Sequence, residues 1–307
     1  MTKSLISRRS HPDTDASWAD AALRASCAAT GLDPAGARLI KFTNNAVYAL
    51  KNDPVVVRIA GSTAVRNLVP KIVATARWLT SNDLPTVRLA EEYPQPLQLD
   101  GTAVTFWQRV DGCGQQVQPD GRDLGRILRR FHDLAAPNFE LPQWSTLSSV
   151  RRRIQDEDVL ADNDHEFLVT VCDELEQELT DVGFVLPLGP IHGDAFVGNL
   201  IGGPGGTVLC DFDSVAIGPR EWDLTPIAVG RLRFDYNTDY HEQLASEYGV
   251  DVLEWPGFPV LRKIRELQLV TSVLPTLRSN PSLYEQWSHR FESFRRGDRA
   301  AVWTTYR

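Results

Sequence analysis

The run Ile191-His192-Gly193-Asp194-Ala195-Phe196-Val197-Gly198-Asn199-Leu200, followed by Leu209-Cys210-Asp211-Phe212-Asp213, constrains this chain more than any other stretch. Asp194, Asn199 and Asp211 each stand beside apolar, strand-like residues, and Gly202-Gly203-Pro204-Gly205-Gly206 separates the last two. Glycine and proline at such density mark a tight turn, so a hairpin is predicted over 190–217. Any one of these polar residues alone would read as a turn former or a local cap. Three of them in this order and spacing point to chemistry.

Phosphoryl transfer has matching needs. An acceptor hydroxyl must be held in line with a γ-phosphate, its proton must be taken, and phosphate charge must be neutralised by Mg²⁺. A carboxylate suits the first task. An Asn carbonyl and a second carboxylate suit the metal, a hard ion that prefers oxygen ligands. Four residues separate Asp194 from Asn199, as they separate Asp from Asn in the protein-kinase pattern H-R-D-x-x-x-x-N, which is followed by D-F-G.

With H-G-D-x-x-x-x-N, then D-F-D, then Gly218-Pro219-Arg220-Glu221-Trp222-Asp223-Leu224, the block from 190 to 225 resembles the aminoglycoside phosphotransferase and choline kinase superfamily. The flanking regions match it in outline. The resemblance implies an α+β, protein-kinase-like two-lobe fold, with a small antiparallel-sheet N-lobe over 1–111 and a larger, mainly helical C-lobe over 112–307. It implies ATP as phosphate donor, with GTP as the alternative, and Mg²⁺ as the metal. Asp194 is then the catalytic base, Asn199 and Asp211 the metal ligands, and Asp223 a buried residue that braces the catalytic loop. His192 is expected to fix the loop by hydrogen bonding rather than act as acid or base. Asp213, on the same strand face as Asp211 if the chain is extended there, is expected to support metal or substrate.

Toward the N-terminus, residues 15–30 read as an amphipathic helix ending at Gly31, with Asp15 as cap and Trp18, Leu23 and Cys27 near one stripe. Arg38–Leu50 and Pro54–Ala60 are β-like runs around a turn at 51–54. The resemblance places the phosphate-covering loop at Thr43-Asn44-Asn45-Ala46, which lacks glycine. Thr43 and Asn44 are cofactor candidates there, and the segment reads as well as an ordinary polar turn. Arg58 takes the place of the strand Lys in V-A-I-K and offers a planar fork to phosphate oxygens; it reads alternatively as a solvent-facing strand residue.

Proline at a first helical turn predicts a helix over 70–81. It contains no Glu or Asp to pair with Arg58. Strands are predicted over 87–90 and 97–110, and the resemblance makes the end of the latter, with Phe106 and Gln108, the nucleotide-contacting hinge. Helices are expected over 122–134, over much of 147–182, and through most of 224–300. His132 reads as a packing or solvent-facing residue, and the acidic run 173–178 as a solvated helix face.

Composition excludes several classes. The 307 residues are 42% hydrophobic and 23% charged, with a formal net charge of −8, which fits a soluble globular protein and opposes a nucleic-acid partner. No apolar run approaches the roughly 18 residues of a transmembrane helix, and the N-terminus lacks the apolar core of a signal peptide. Four Cys without a C-x-x-C pair are expected as reduced thiols in a cytoplasmic monomer or homodimer. The acceptor is expected to be a hydroxyl-bearing, cationic small molecule, an aminoglycoside or another amino-bearing antibiotic first, a choline, amino-sugar or homoserine type of metabolite second. Asp235, Asp239, Glu242 and Glu266 are its candidate ligands. A nucleotide-binding regulator without turnover is the alternative from another class. A protein kinase is disfavoured, because Gly193 replaces the Arg of H-R-D, D-F-D lacks the final Gly, and 214–223 leaves no room for a long activation loop.

Overall fold

A computed structural model describes residues 17–42, 45–99, 101–110, 118–156 and 158–306. The chain divides into two compact units, one comprising residues up to Ser81 with Thr86–Asp111, the other Asn82–Pro85 with Gly112–Arg307.

The first unit contains α1 (Ser17–Thr30), β1 (Arg38–Phe42), β2 (Asn45–Ala49), β3 (Val55–Ala60), α2 (Thr63–Ser81), β4 (Leu97–Leu99) and β5 (Thr102–Gln108). Its sheet is antiparallel throughout, in the order β1-β2-β3-β5-β4. Ala19, Leu23 and Cys27 recur at intervals of four along α1 and bury one stripe against Tyr48, Val57, Ile59 and Phe106. Asp15 lies outside the described residues, as do Thr43 and Asn44.

Two sequence expectations change here. Helix α2 begins at Thr63, seven residues before Pro70, which sits inside the helix. Ser62 caps it, its hydroxyl accepting from Val65 N at 3.3 Å. The exposed position of Pro70 lets solvent take the carbonyl that its missing N–H leaves without an in-helix donor. The 87–90 strand shrinks to a bridge between Leu89 and Trp107, because the chain turns at once, with Tyr93 N bonded to Ala90 O. Glu91, within that turn, makes a bidentate pair with Arg77 of α2 at 2.8 and 2.9 Å.

The second unit contains α3 (Gly121–His132), α4 (Thr146–Asp156), α5 (Asp162–Thr180), β6 (Leu188–Ile191), β7 (Leu200–Gly203), β8 (Gly206–Leu209), β9 (Ala216–Pro219), α6 (Glu221–Arg233), α7 (Tyr240–Tyr248), α8 (Phe258–Thr271), α9 (Leu274–Leu277) and α10 (Tyr284–Arg295). Asp120 opens α3 with a capping box, Asp123 answering it. A Cβ on Gly121 would overlap the Tyr240 carbonyl, so the close approach of α3 and α7 requires glycine there. Helix α6 is buried from Glu221 through Gly230 and forms the centre of the unit.

The acidic run on α5 is tied down by cations. Arg151 of α4 holds Asp173 and Glu176 at 2.6 and 2.9 Å, and Lys263 of α8 faces Glu174 and Glu178. Deeper in, Glu266 accepts from Arg233 at 2.7 and 3.0 Å and from Arg262 at 2.6 Å. Arg233 also lies over the Trp303 ring, 4.5 Å from its centroid. Glu266→Ala would strand the buried Arg233 charge, so it should cost roughly 3–5 kcal/mol. Denaturant unfolding should read this as a lower midpoint; an unchanged midpoint would refute the structural role.

Candidate active site

Two short ladders assemble the site within the second unit. Strand β6 pairs with β9, Ile191 opposite Ala216, and β7 pairs with β8, Leu200 opposite Leu209. The segments 192–199 and 210–215, which leave these strands, are therefore held side by side. Cys210 N donates to Asn199 O at 2.9 Å, which carries the β7–β8 ladder one step past its open end. His192, fully buried, shares its Nε2 hydrogen bond with Cys210 O at 3.0 Å. Asn199 Nδ2 donates to Asp194 O at 2.9 Å, which leaves its Oδ1 as the amide's acceptor oxygen.

The Asp223 carboxylate, 0% exposed on the first turn of α6, organises the loop from below. Its Oδ2 accepts from His192 N at 2.6 Å and its Oδ1 from Gly193 N at 2.7 Å. Trp222 Nε1 donates to Gly193 O at 2.8 Å, so three successive peptide groups, from Ile191–His192 to Gly193–Asp194, are fixed from α6. Gly193 has φ +84°, and a Cβ there would overlap the Ser214 carbonyl. The Arg of the protein-kinase motif has no place at this position.

Of its two readings, packing or solvent-facing, His132 shows the first. It is buried, with Nε2 3.0 Å from Asp223 Oδ2 and Nδ1 2.8 Å from the Tyr248 hydroxyl. A carboxylate only accepts, so Nε2 carries hydrogen and, in the neutral ring, Tyr248 donates to Nδ1. Burial pushes the Tyr248 hydroxyl well above its usual pKa. The helix α3 periodicity shows that this face is covered without showing that a carboxylate covers it.

Asp194 is about one-third exposed and accepts a hydrogen bond at Oδ1 from Arg265 Nη1 of α8 at 2.9 Å. Arg265 escaped the sequence reading because it lies 71 residues away on a helix with no motif. The one hint is its place beside Leu261, Ile264 and Leu267, which are buried.

Asp211 adopts a left-handed backbone, φ 69° and ψ 73°, and residues 212–214 form a 3₁₀ turn. This overturns the extended geometry that put Asp213 on the same face as Asp211. The Asp211 conformation is uncommon for a residue with a side chain and ends the strand abruptly. Among the described residues no cluster of three or more His, Cys, Asp or Glu could hold a metal. The donor set is sparser: Asn199 Oδ1 and the Asp211 carboxylate, from residues on neighbouring segments at the open end of the β7–β8 ladder. One carboxylate and one amide oxygen suit Mg²⁺, which keeps waters and takes further ligands from phosphates.

A profile of the phosphotransferase enzyme family matches residues 37–267, most of the chain. The chain belongs to that family. It is a small-molecule phosphotransferase. No curated protein sequence matches it. Among solved structures, a choline/ethanolamine kinase family protein from Mesorhizobium loti is 17% identical with a TM-score of 0.60, covering 91% of this chain and 94% of its own. Amicoumacin kinase, in complex with AMP-PNP, Ca²⁺ and Ami, is 12% identical at TM-score 0.63, with 89% and 91% coverage. Spectinomycin phosphotransferase, in complex with ADP and spectinomycin, is 15% identical at TM-score 0.59, with 89% and 93% coverage. These likenesses establish the kinase-like α+β fold of this family member, a small antiparallel sheet with a mainly helical remainder.

Within the phosphotransferase's smaller unit, Arg58 is half-buried on β3, between the buried Val57 and Ile59 and opposite Val47 and Thr105. Phe106 does not fit the nucleotide-contacting role expected of it. Its ring is fully buried beside Tyr93, and its backbone groups are taken by Ala90 and Gln95. Gln108 is exposed at the end of β5, with Nε2 donating to Leu89 O at 3.3 Å. Of the acceptor candidates, Glu266 is committed to Arg233 and Arg262 and is removed from the set. Asp239 caps α7 through Glu242 N and pairs with Arg231 at 3.2 Å. Asp235 and Glu242 are exposed. Among the described helices none is long and apolar enough to cross a membrane.

Proposed function

We propose that the protein transfers the γ-phosphate of ATP to a hydroxyl of a small amino-bearing molecule. Amino-bearing antibiotics are the first candidate class, and metabolites of the choline, amino-sugar or homoserine type the second. GTP is the alternative donor. The observation that carries this reading is the hydrogen-bonded loop itself: Asn199 is bonded to Asp194 O, Cys210 to Asn199 O, and both sides of the loop are anchored on Asp223 and His192. These bonds support the reading that a carboxylate base works beside the two oxygen donors suited to Mg²⁺.

With Oδ1 engaged by Arg265, Asp194 Oδ2 is the oxygen left to take the acceptor's proton. The acceptor oxygen forms a bond to the γ-phosphorus, the bond from that phosphorus to the β-bridging oxygen breaks, and ADP leaves with the electron pair. A Mg²⁺ held by Asn199 and Asp211 supplies neutralisation of phosphate charge when bound. Arg58 is the proposed holder of the α- and β-phosphates. Thr43 and Asn44 remain proposed phosphate contacts and lie outside the described residues.

The test is ADP release over a panel of hydroxylated amines, with and without Mg²⁺. Turnover with at least one acceptor should require Mg²⁺ and fall at least about 100-fold in Asp211→Asn, a loss in keeping with several kcal/mol of charge stabilisation. Wild-type turnover by Asp211→Asn would contradict the metal assignment.

A further inference from the structure

The surroundings of Asp194 are basic. Arg265, whose side chain is only 11% exposed, pairs with it directly. Arg153, on α4, which packs against α8, lies within electrostatic range of both: burial chiefly disfavours its charge, the Arg265 and Arg152 charges add to that, and the Asp194 charge opposes it. Arg153 Nη1 is buried without a hydrogen-bond partner. On this side of Asp194, away from the metal-binding Asn199 and Asp211, the guanidinium groups of Arg153 and Arg265 outnumber the one carboxylate they share. Glu266, the carboxylate adjacent to Arg265 in sequence, is committed to Arg233 and Arg262 and cannot compensate it. A buried, unsatisfied guanidinium donor next to a like charge is costly and calls for an explanation in function.

We propose that Arg153 and Arg265 form a recognition site for an anionic group on the acceptor, a carboxylate or a phosphate monoester neighbouring the hydroxyl that Asp194 deprotonates. This rests on the reading of Asp194 as the base and narrows the acceptor class. Arginine presents a planar fork of donors that matches either oxyanion, and Arg265 has donors beyond the one spent on Asp194. An arriving anion gives Arg153 Nη1 its missing acceptor and removes the excess positive charge. A purely cationic acceptor would instead be desolvated against two guanidinium groups, an arrangement that selects against it. Within the amino-bearing class, hydroxy amino acids and phosphorylated amino sugars fit this site better than aminoglycosides or choline.

Two measurements test the site, one of them independent of turnover. Thermal unfolding of the full chain with ADP present should show malonate, against chloride at matched ionic strength, raising the midpoint of the wild type and of Asp194→Asn. Neither Arg153→Gln nor Arg265→Gln should respond, and Arg153→Lys should respond in part; the two glutamine variants guard against one failing to fold. Equal stabilisation of all these proteins, or none in the wild type, overturns the proposal. In the second measurement, ADP release is compared for hydroxy amino acids against their decarboxylated amino alcohols, and for sugar phosphates against the parent sugars. Turnover should favour the anionic member of one pair, which separates carboxylate from phosphate. Arg153→Gln should lower kcat/KM for that member by about 10–100-fold, the range for losing charged hydrogen bonds. Turnover confined to cationic or neutral acceptors, unaffected by Arg153→Gln, would overturn the anion site and leave phosphoryl transfer intact. Undiminished turnover by Asp194→Asn would defeat the phosphoryl-transfer reading instead.

Discussion

Asp223→Ala should be among the most damaging single changes to the larger unit. It removes the acceptor of two backbone N–H groups, His192 at 2.6 Å and Gly193 at 2.7 Å, and of the buried His132 ring. Each of the three buried donors left without a partner costs about 1–3 kcal/mol, so the expected loss is roughly 3–9 kcal/mol. For a domain of this size that is a fall in Tm on the order of 10 °C. Asp223→Asn should recover little of it, because the introduced NH₂ group would face a backbone or histidine donor in place of an acceptor. Calorimetry of both variants checks this. A Tm within about 2 °C of wild type for either one would mean that the loop is braced by something other than this carboxylate, since even 1 kcal/mol moves Tm by about that much.

Asp194→Asn should behave in the opposite way, folding normally and losing catalysis. The side chain is partly exposed and its one hydrogen bond is to Arg265, which an Asn oxygen can still accept. The amide has no basic oxygen to take the acceptor's proton, and general-base catalysis of this kind contributes about 10²–10⁴-fold. Turnover should fall by about that factor, with nucleotide affinity within about twofold of wild type, since Asp194 has no part in the proposed nucleotide contacts. Nucleotide titration alongside steady-state ADP release separates the two quantities. Turnover within about tenfold of wild type would remove Asp194 from the base role.

The parts of the molecule that could be read from sequence are those set by local spacing. Asp194, Asn199 and Asp211 come together because a Gly-rich turn folds one hairpin, and both its strands and the turn are contiguous in the chain. The small antiparallel sheet and the helical remainder were legible from the β-like runs over 38–60 and 97–110 and the helical spacing from 122 onward, joined by the family resemblance. Helix α2 shows how a local rule misleads: Pro70 looked like a helix start, and the Ser62 cap seven positions before Val69 set the true one. The residues missed altogether, Arg265 and Arg153, came from distant helices, and the partner of His132 was missed with them. All three sit on amphipathic helices whose periodicity reports only that a face is covered, not that an aspartate or a second arginine covers it. Glu266 was misassigned for the same reason, since a glutamate beside buried Leu267 gives no sign that Arg233 lies across from it. Phe106 failed differently. It was placed by its position near the end of a strand that the resemblance makes the hinge, whereas β5 is buried on both faces from Thr102 to Trp107 and the Phe106 ring lies in the core.

The central claim is that a γ-phosphate passes to a small-molecule hydroxyl with Asp194 as base. The most direct measurement supplies ATP labelled with ¹⁸O in the three non-bridging γ-oxygens, together with an acceptor that supports ADP release, and analyses the products by mass spectrometry and ³¹P NMR. The account predicts a phosphate monoester on the acceptor that retains all three labelled oxygens, formed in step with ADP by the wild type and reduced by about 10²–10⁴-fold in Asp194→Asn. Label appearing only in inorganic phosphate, with the acceptor unchanged, or monoester formed by Asp194→Asn at the wild-type rate, would contradict it.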